Sequence, residues 1–177
     1  MRFLALSGSL RAASTNTAAL EALSRLAPAG VEVTLYRQIG ALPHFNPDDD
    51  GETPPEAAGA LRALVGSSDG LLIAAPEYAH GPPGALKNAL DWLVASVEFP
   101  GKPVALINTA PRASHAQAAL RETLATMAAR LVPEAFVTLP LTGQEVDADW
   151  IAANPALARA LRAGLDCFVK AIRGDAG

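Results

Sequence analysis

Five short apolar runs, each followed by a stretch with helical periodicity, restrict this chain more than any other feature of its sequence. The runs are Arg2-Phe3-Leu4-Ala5-Leu6, Val31-Glu32-Val33-Thr34-Leu35-Tyr36, Gly70-Leu71-Leu72-Ile73-Ala74-Ala75, Pro103-Val104-Ala105-Leu106-Ile107-Asn108 and Ala135-Phe136-Val137-Thr138-Leu139. The third is apolar throughout, as a strand covered on both faces of a parallel sheet must be. Between the runs, Ala18 to Leu26 puts Leu20, Leu23 and Leu26 on one helical face, and Gly84 to Val97 does the same with Leu86, Leu90, Leu93 and Val97. Glu56 to Ser67, Ser114 to Leu131, a segment from Gln144 and another from Asn154 to Ile172 complete the helical set. Strands alternating with helices predict an α/β fold, a doubly wound five-stranded parallel sheet. With 177 residues, no internal repeat and no long low-complexity linker, the expectation is a single domain spanning 1–177.

In the flavodoxin-like order 2-1-3-4-5, strand order reverses between the first and third strands, and ligands bind there beyond the carboxyl ends. The loops that matter therefore follow Leu6, Ala75 and Asn108. The first of them runs from Ser7 to Thr17 and holds one glycine, one arginine and five hydroxyl side chains: Ser7, Ser9, Ser14, Thr15 and Thr17. Free N–H groups at a helix start, the helix dipole and nearby hydroxyls suit a phosphate, and Arg11 adds a charge-assisted contact. A P-loop is excluded because no lysine occurs before Lys87, and Gly8 alone does not make a dinucleotide fingerprint. A loop so rich in hydroxyls and poor in glycine fits a terminal monophosphate, and FMN is the leading candidate. Taken alone, the loop reads equally as an ordinary strand-to-helix turn capped by Ser14 or Thr15.

Charge and composition narrow the partners. The formal net charge is -4 with both signs interspersed, so no basic stripe invites nucleic acid. Cys167 is the only cysteine, which rules out an internal disulfide, and its apolar helical surroundings read as core. Three scattered histidines give no metal pattern, and no G-x-S-x-G elbow is present. The acidic triplet Asp48-Asp49-Asp50 lies in a Pro/Gly-rich stretch and is expected to be solvated. Met1-Arg2 leads directly into the first strand and no apolar run approaches a membrane span, so a soluble cytoplasmic protein is expected.

The second loop makes the reading specific. Gly8-Ser9-x-Arg11-x-x-Ser14-x-Asn16, followed by Pro76-Glu77-Tyr78 and Pro83-Gly84-x-Leu86-Lys87-Asn88-Ala89-x-Asp91-Trp92, resembles the NADPH-dependent FMN reductase family of quinone, chromate and azo-dye reductases. Leu42-Pro43-x-Phe45-Asn46-x-Asp48 resembles that family's loop after the second strand. The resemblance, which runs from about Arg2 to Leu139, implies a flavodoxin-like fold, non-covalent FMN, NADPH or NADH as hydride donor, and homodimers or homotetramers. By matching positions, Ser9, Arg11, Ser14, Asn16 and Thr17, with Thr15 beside them, would hold the phosphate and ribityl chain. Pro76, Glu77 and Tyr78 would lie along the isoalloxazine, largely through backbone groups. Lys87, Asn88, Asp91 and Trp92 read as structural residues of a helix that packs toward a subunit interface.

Two departures stand out. The family usually has asparagine after Pro-Glu-Tyr and a serine shortly beyond, whereas this chain has Ala79, His80 and Gly81. After the fourth strand, the glycine-rich stretch of many members is replaced by Asn108-Thr109-Ala110-Pro111-Arg112-Ala113-Ser114-His115. Thr109 and Ala110 occupy flavin-edge positions there, with Thr109 taken as a cofactor contact. Arg112 reads either as a charge near the flavin or as a solvated surface residue, and His115 flanks the helix start. No side chain need act as a nucleophile, because the cofactor carries the chemistry. The expected function is transfer of a hydride from NAD(P)H through FMN to a quinone, azo compound, metal oxyanion or free flavin. The alternatives are a flavodoxin-type electron carrier without nicotinamide turnover and a flavin-free nucleotide-binding module.

Overall fold

The structure, a computed structural model, describes residues 1–112 and 114–174. Ala113 and residues 175–177 of the expected 1–177 domain lie outside the described residues. In the first strand, β1 (Arg2–Ser7), Phe3 and Ala5 join the core on one side of the sheet and Leu4 and Leu6 the core on the other. That two-sided burial is why the run is apolar at consecutive positions. β1 pairs in parallel with β2 (Glu32–Tyr36), setting Leu4 opposite Thr34, and with β3 (Gly70–Ala74), setting Leu6 opposite Ile73. β4 (Pro103–Asn108) follows β3 and β5 (Arg130–Leu131) follows β4, and the order β2-β1-β3-β4-β5 is the flavodoxin-like one expected.

The last strand departs from the expectation in a specific way. Its position is shared by two short pieces, β5 (Arg130–Leu131) and β6 (Val137–Thr138), both parallel to β4. The preceding helix stops at Thr126, not Leu131, because Ala128 turns left-handed at φ 59°. The chain then enters the sheet, with Arg130 N–H donating to the Lys102 carbonyl and Val132 N–H to that of Val104. A 3-10 turn at Pro133–Ala135 lifts it out again, and proline has no N–H with which to continue a ladder.

Among the described residues, six helices cover the sheet. α1 (Thr15–Leu26), α5 (Ala148–Ala153) and α6 (Pro155–Arg173) bury Leu20, Leu23, Ile151, Leu161, Leu165 and Phe168 against Phe3, Ala5 and Leu72. α2 (Glu56–Gly66), α3 (Gly84–Val94) and α4 (Ser114–Thr126) bury Leu61, Leu86, Leu90, Trp92 and Leu120 against Leu4, Leu6 and Ile73. Gly70 is required where α6 crosses β3, since a Cβ there would lie 2.8 Å from Phe168 Cζ. Cys167 is half-buried on α6, packed against this core and not within it.

The irregular stretch between β2 and α2 is anchored by polar contacts. Asn88 accepts from Phe45 N–H at 2.8 Å and donates to the Pro43 carbonyl, which also accepts from Trp92 Nε1 at 2.8 Å. Lys87 pairs with Asp91 one turn along α3. The acidic triplet requires a correction. Asp48 and Asp49 are exposed, but the Asp50 side chain is only 6 % exposed and accepts from Arg62 Nη2 at 2.6 Å. Arg62 also donates through Nε and Nη2 to the Trp92 carbonyl, at 2.9 and 2.7 Å, satisfying an acceptor in the last turn of α3. No helix among the described residues is long and apolar enough to cross a membrane.

Candidate functional site

The parallel sheet brings the loops after β1, β3 and β4 to one rim, and the chemistry-bearing side chains meet there. β1 ends at Ser7, whose Oγ lies 2.7 Å from Thr17 Oγ1, tying the loop to the first turn of α1. Gly8 follows as a packing residue: a Cβ there would meet Ala75 Cβ at 3.1 Å and Leu86 Cβ at 3.3 Å. Ser9 Oγ accepts from Arg11 N–H, and Ser14 Oγ caps α1 by accepting from Thr17 N–H, both at 3.3 Å. Each of these hydroxyls accepts, so each keeps its own O–H free to donate. The first N–H bonded within the helix belongs to Ala18, which donates to the Ser14 carbonyl. The N–H groups of Thr15 and Asn16 are thus left without a partner among the described residues, and α1 has no acidic residue in its first turn. The helix end offers donors and positive potential to an anion.

Thr109, at the end of β4, is buried and donates to Asn16 Oδ1 at 3.1 Å, with Thr15 Oγ1 3.4 Å away. This contact joins the third loop to the helix start. The second loop is joined to α4 by Glu77, whose Oε2 accepts from Ala116 N–H at 2.9 Å. The carboxylate therefore serves the start of α4.

A cavity of about 370 Å³ opens among these groups, lined by Arg11, Thr15, Asn16, Pro76, Glu77 and Thr109, together with Ala13 and Ala110. Its far wall is the segment Leu141–Glu145. A second cavity of about 360 Å³ shares Arg11 and is bordered by Gly8, Leu10, Tyr78, Pro83, Gly84 and Ala85. Each lies near the lower bound for small-molecule sites, roughly 300 Å³. Arg11 stands where they meet, exposed and without a hydrogen bond or ion pair from its guanidinium among the described residues.

Six of the ten expected contact residues line the first cavity, and half-exposed Tyr78 borders the second. Ser14 and Thr17 instead line a separate depression on the flank of α1 with Glu21 and Arg37, while Ser9 is buried beneath the loop and lines neither cavity. Leu141–Glu145 lies outside the three loops that the point of strand reversal singles out. The fifth position also ends at this rim, and that topological fact could have found it.

A family model described as NADPH-dependent FMN reductase matches residues 1–143. The chain belongs to this family. An FMN reductase of Pseudomonas aeruginosa named as NAD(P)H-dependent is 37% identical over 129 residues, covering 70% of this chain and 69% of that one. A quinone reductase of Pseudomonas putida is 37% identical over 140 residues, covering 73% and 74%. Among solved structures, the flavoenzyme NAD(P)H:(acceptor) oxidoreductase FerB of Paracoccus denitrificans superposes with a TM-score of 0.77 at 31% identity, covering 98% of this chain and 97% of that one. Each of these names describes a reductase, and none favours an electron carrier.

The residues present fit the FMN of this reductase family. A monophosphate needs several donors, and the start of α1 supplies the free N–H groups of Thr15 and Asn16 with Arg11 beside them, while Glu145 stands on the far wall of the cavity. The departure after Tyr78 now has a structural meaning. Tyr78 and Gly81 exchange two backbone hydrogen bonds at 3.0 and 2.9 Å, with Ala79 at φ 47° and His80 at φ 61° between them. This is the pattern of a type I′ turn, which favours asparagine and glycine. The family's asparagine at position 79 suits that left-handed backbone, whereas alanine is strained in it. Ala79→Asn is therefore expected to stabilise the protein by about 0.5–1 kcal/mol, read as a higher urea midpoint at unchanged slope.

Proposed function

We propose that this protein is an FMN-dependent NAD(P)H oxidoreductase that delivers electrons to a small acceptor such as a quinone, azo compound, metal oxyanion or free flavin. The observation that carries the reading is the donor-rich start of α1, with Arg11 at the junction of two cavities. Bound FMN supplies the two-electron transfer between the nicotinamide and the acceptor. Arg11 and the N–H groups of Thr15 and Asn16 hold the phosphate, while Ser9 and Ser14 shape the loop and cap the helix and Thr17 steadies Ser7 beneath them. Thr109 fixes Asn16 from across the sheet, while Pro76, Glu77 and Tyr78 border the ring. No nucleophile or general acid is needed from the chain, so its work is binding and orientation.

The quinone class is favoured because the Pseudomonas putida relative carries that activity in its name. A cytoplasmic location follows from the supply of NAD(P)H there. Residues 1–177 act as one domain, and apolar Leu10 and Tyr78 stand exposed on the loops beside the site, where a second copy would cover them in a homodimer or homotetramer. Light scattering of the eluting protein measures that state directly. Steady-state rates at varied NADPH and quinone test the reaction itself: double-reciprocal lines run parallel if both reactants use one site in turn, and a demonstrated ternary complex contradicts the scheme. Cys167→Ser is expected to leave turnover within twofold of the parent and stability within about 1 kcal/mol, as measured by the same assay and a thermal melt.

A further inference from the structure

We infer that His80 and His115 are positioning residues for the flavin site, acting as a stacked clasp between the loop after β3 and the start of α4. The inference rests on the FMN reading above. The two imidazoles lie 35 residues apart in sequence, yet their ring centroids are 4.2 Å apart and their planes differ by 4°. Both residues are exposed, so burial does not force them together. His80 occupies one of the two left-handed positions of the Tyr78–Gly81 turn, a conformation that costs an L residue energy unless contacts elsewhere offset it. The stack is such a contact.

A second fastening lies beside it. Ala116, the residue after His115, donates its N–H to Glu77 Oε2, and Glu77 sits three residues before His80. Two consecutive residues of α4 thus hold two residues that bracket Tyr78. Pro76 and Glu77 form one wall of the first cavity, and Thr109 and Ala110, on the loop that leads into α4, form another. The clasp therefore sets the separation of those walls, and with it the space open to the isoalloxazine. The phosphate grip lies on α1 and does not depend on it.

Three proteins test this: the parent, His115→Ala, and His115→Phe, which keeps a flat ring able to stack. Fluorescence titration gives the affinity for FMN and for phosphate-free riboflavin, and hydrogen exchange reports on residues 77–81. His115→Ala is expected to bind both flavins about fivefold more weakly and to exchange faster over the turn, while His115→Phe returns both readouts to within twofold of the parent. Parent-like binding and exchange in His115→Ala would overturn the clasp, as would a His115→Phe variant no better than the alanine. A parent that binds no flavin would overturn the cofactor reading and this role with it, whereas a binding parent with an indifferent alanine variant removes the clasp alone.

Discussion

Asp50→Ala is expected to lower the unfolding free energy by about 3 kcal/mol, the largest stability effect of any substitution considered for this chain. The Asp50 carboxylate is 6 % exposed and the Arg62 side chain 14 %, so the pair is shielded from water and from salt. Removing the carboxylate leaves a guanidinium whose other acceptor is the neutral Trp92 carbonyl. An uncompensated buried charge costs more than the pair contributes, and it would loosen the junction of the 47–55 segment, α2 and α3 together. Asp50→Asn retains an acceptor and should lose less. Replacing both partners with apolar residues, Asp50→Leu with Arg62→Met, should recover most of the loss. Urea denaturation of the four proteins separates these outcomes, and a single alanine that costs under 1 kcal/mol would show the pair to be solvated after all.

Arg11→Ala is expected to weaken FMN binding about thirtyfold, equivalent to roughly 2 kcal/mol. Its guanidinium stands where the two cavities meet, without a partner among the described residues, and a phosphate at the start of α1 would give it a charge-assisted one. Because Arg11 is exposed, salt screens the effect, and the ratio of parent to variant affinity should shrink as ionic strength rises. Riboflavin is the internal control. Lacking the phosphate, it should bind the parent and Arg11→Ala alike. A variant that loses riboflavin as severely as FMN would place Arg11 against the ring instead.

Much of the architecture was legible because burial on both faces leaves consecutive apolar residues, and β1, β3 and β4 read plainly for that reason. β5 did not, since Arg130-Leu131 is too short to show any period. The left-handed residue that ends α4 is Ala128, where glycine would have signalled a stop. At the site, the sequence motif pointed to the loops whose residues converge, but it could not say which hydroxyls face a cavity. Ser14 and Thr17 turn to the flank of α1, and Ser9 lies beneath the loop. The burial of Asp50 is not legible locally, because its partner sits twelve residues on, in a helix whose orientation no local pattern reveals. The His80–His115 stack lay beyond reach for the same reason: it joins a loop to a helix start that only the order of β3 and β4 makes neighbours.

The proposed function requires a site that holds FMN and takes electrons from NAD(P)H. Flavin-stripped protein titrated anaerobically with FMN, and then with NADPH, tests this most directly. The expected result is saturation at one FMN per chain with quenched fluorescence, followed by rapid loss of the visible flavin absorbance when NADPH is added. Protein that takes up no FMN, or bound FMN whose absorbance persists in excess NADPH and NADH, would contradict it.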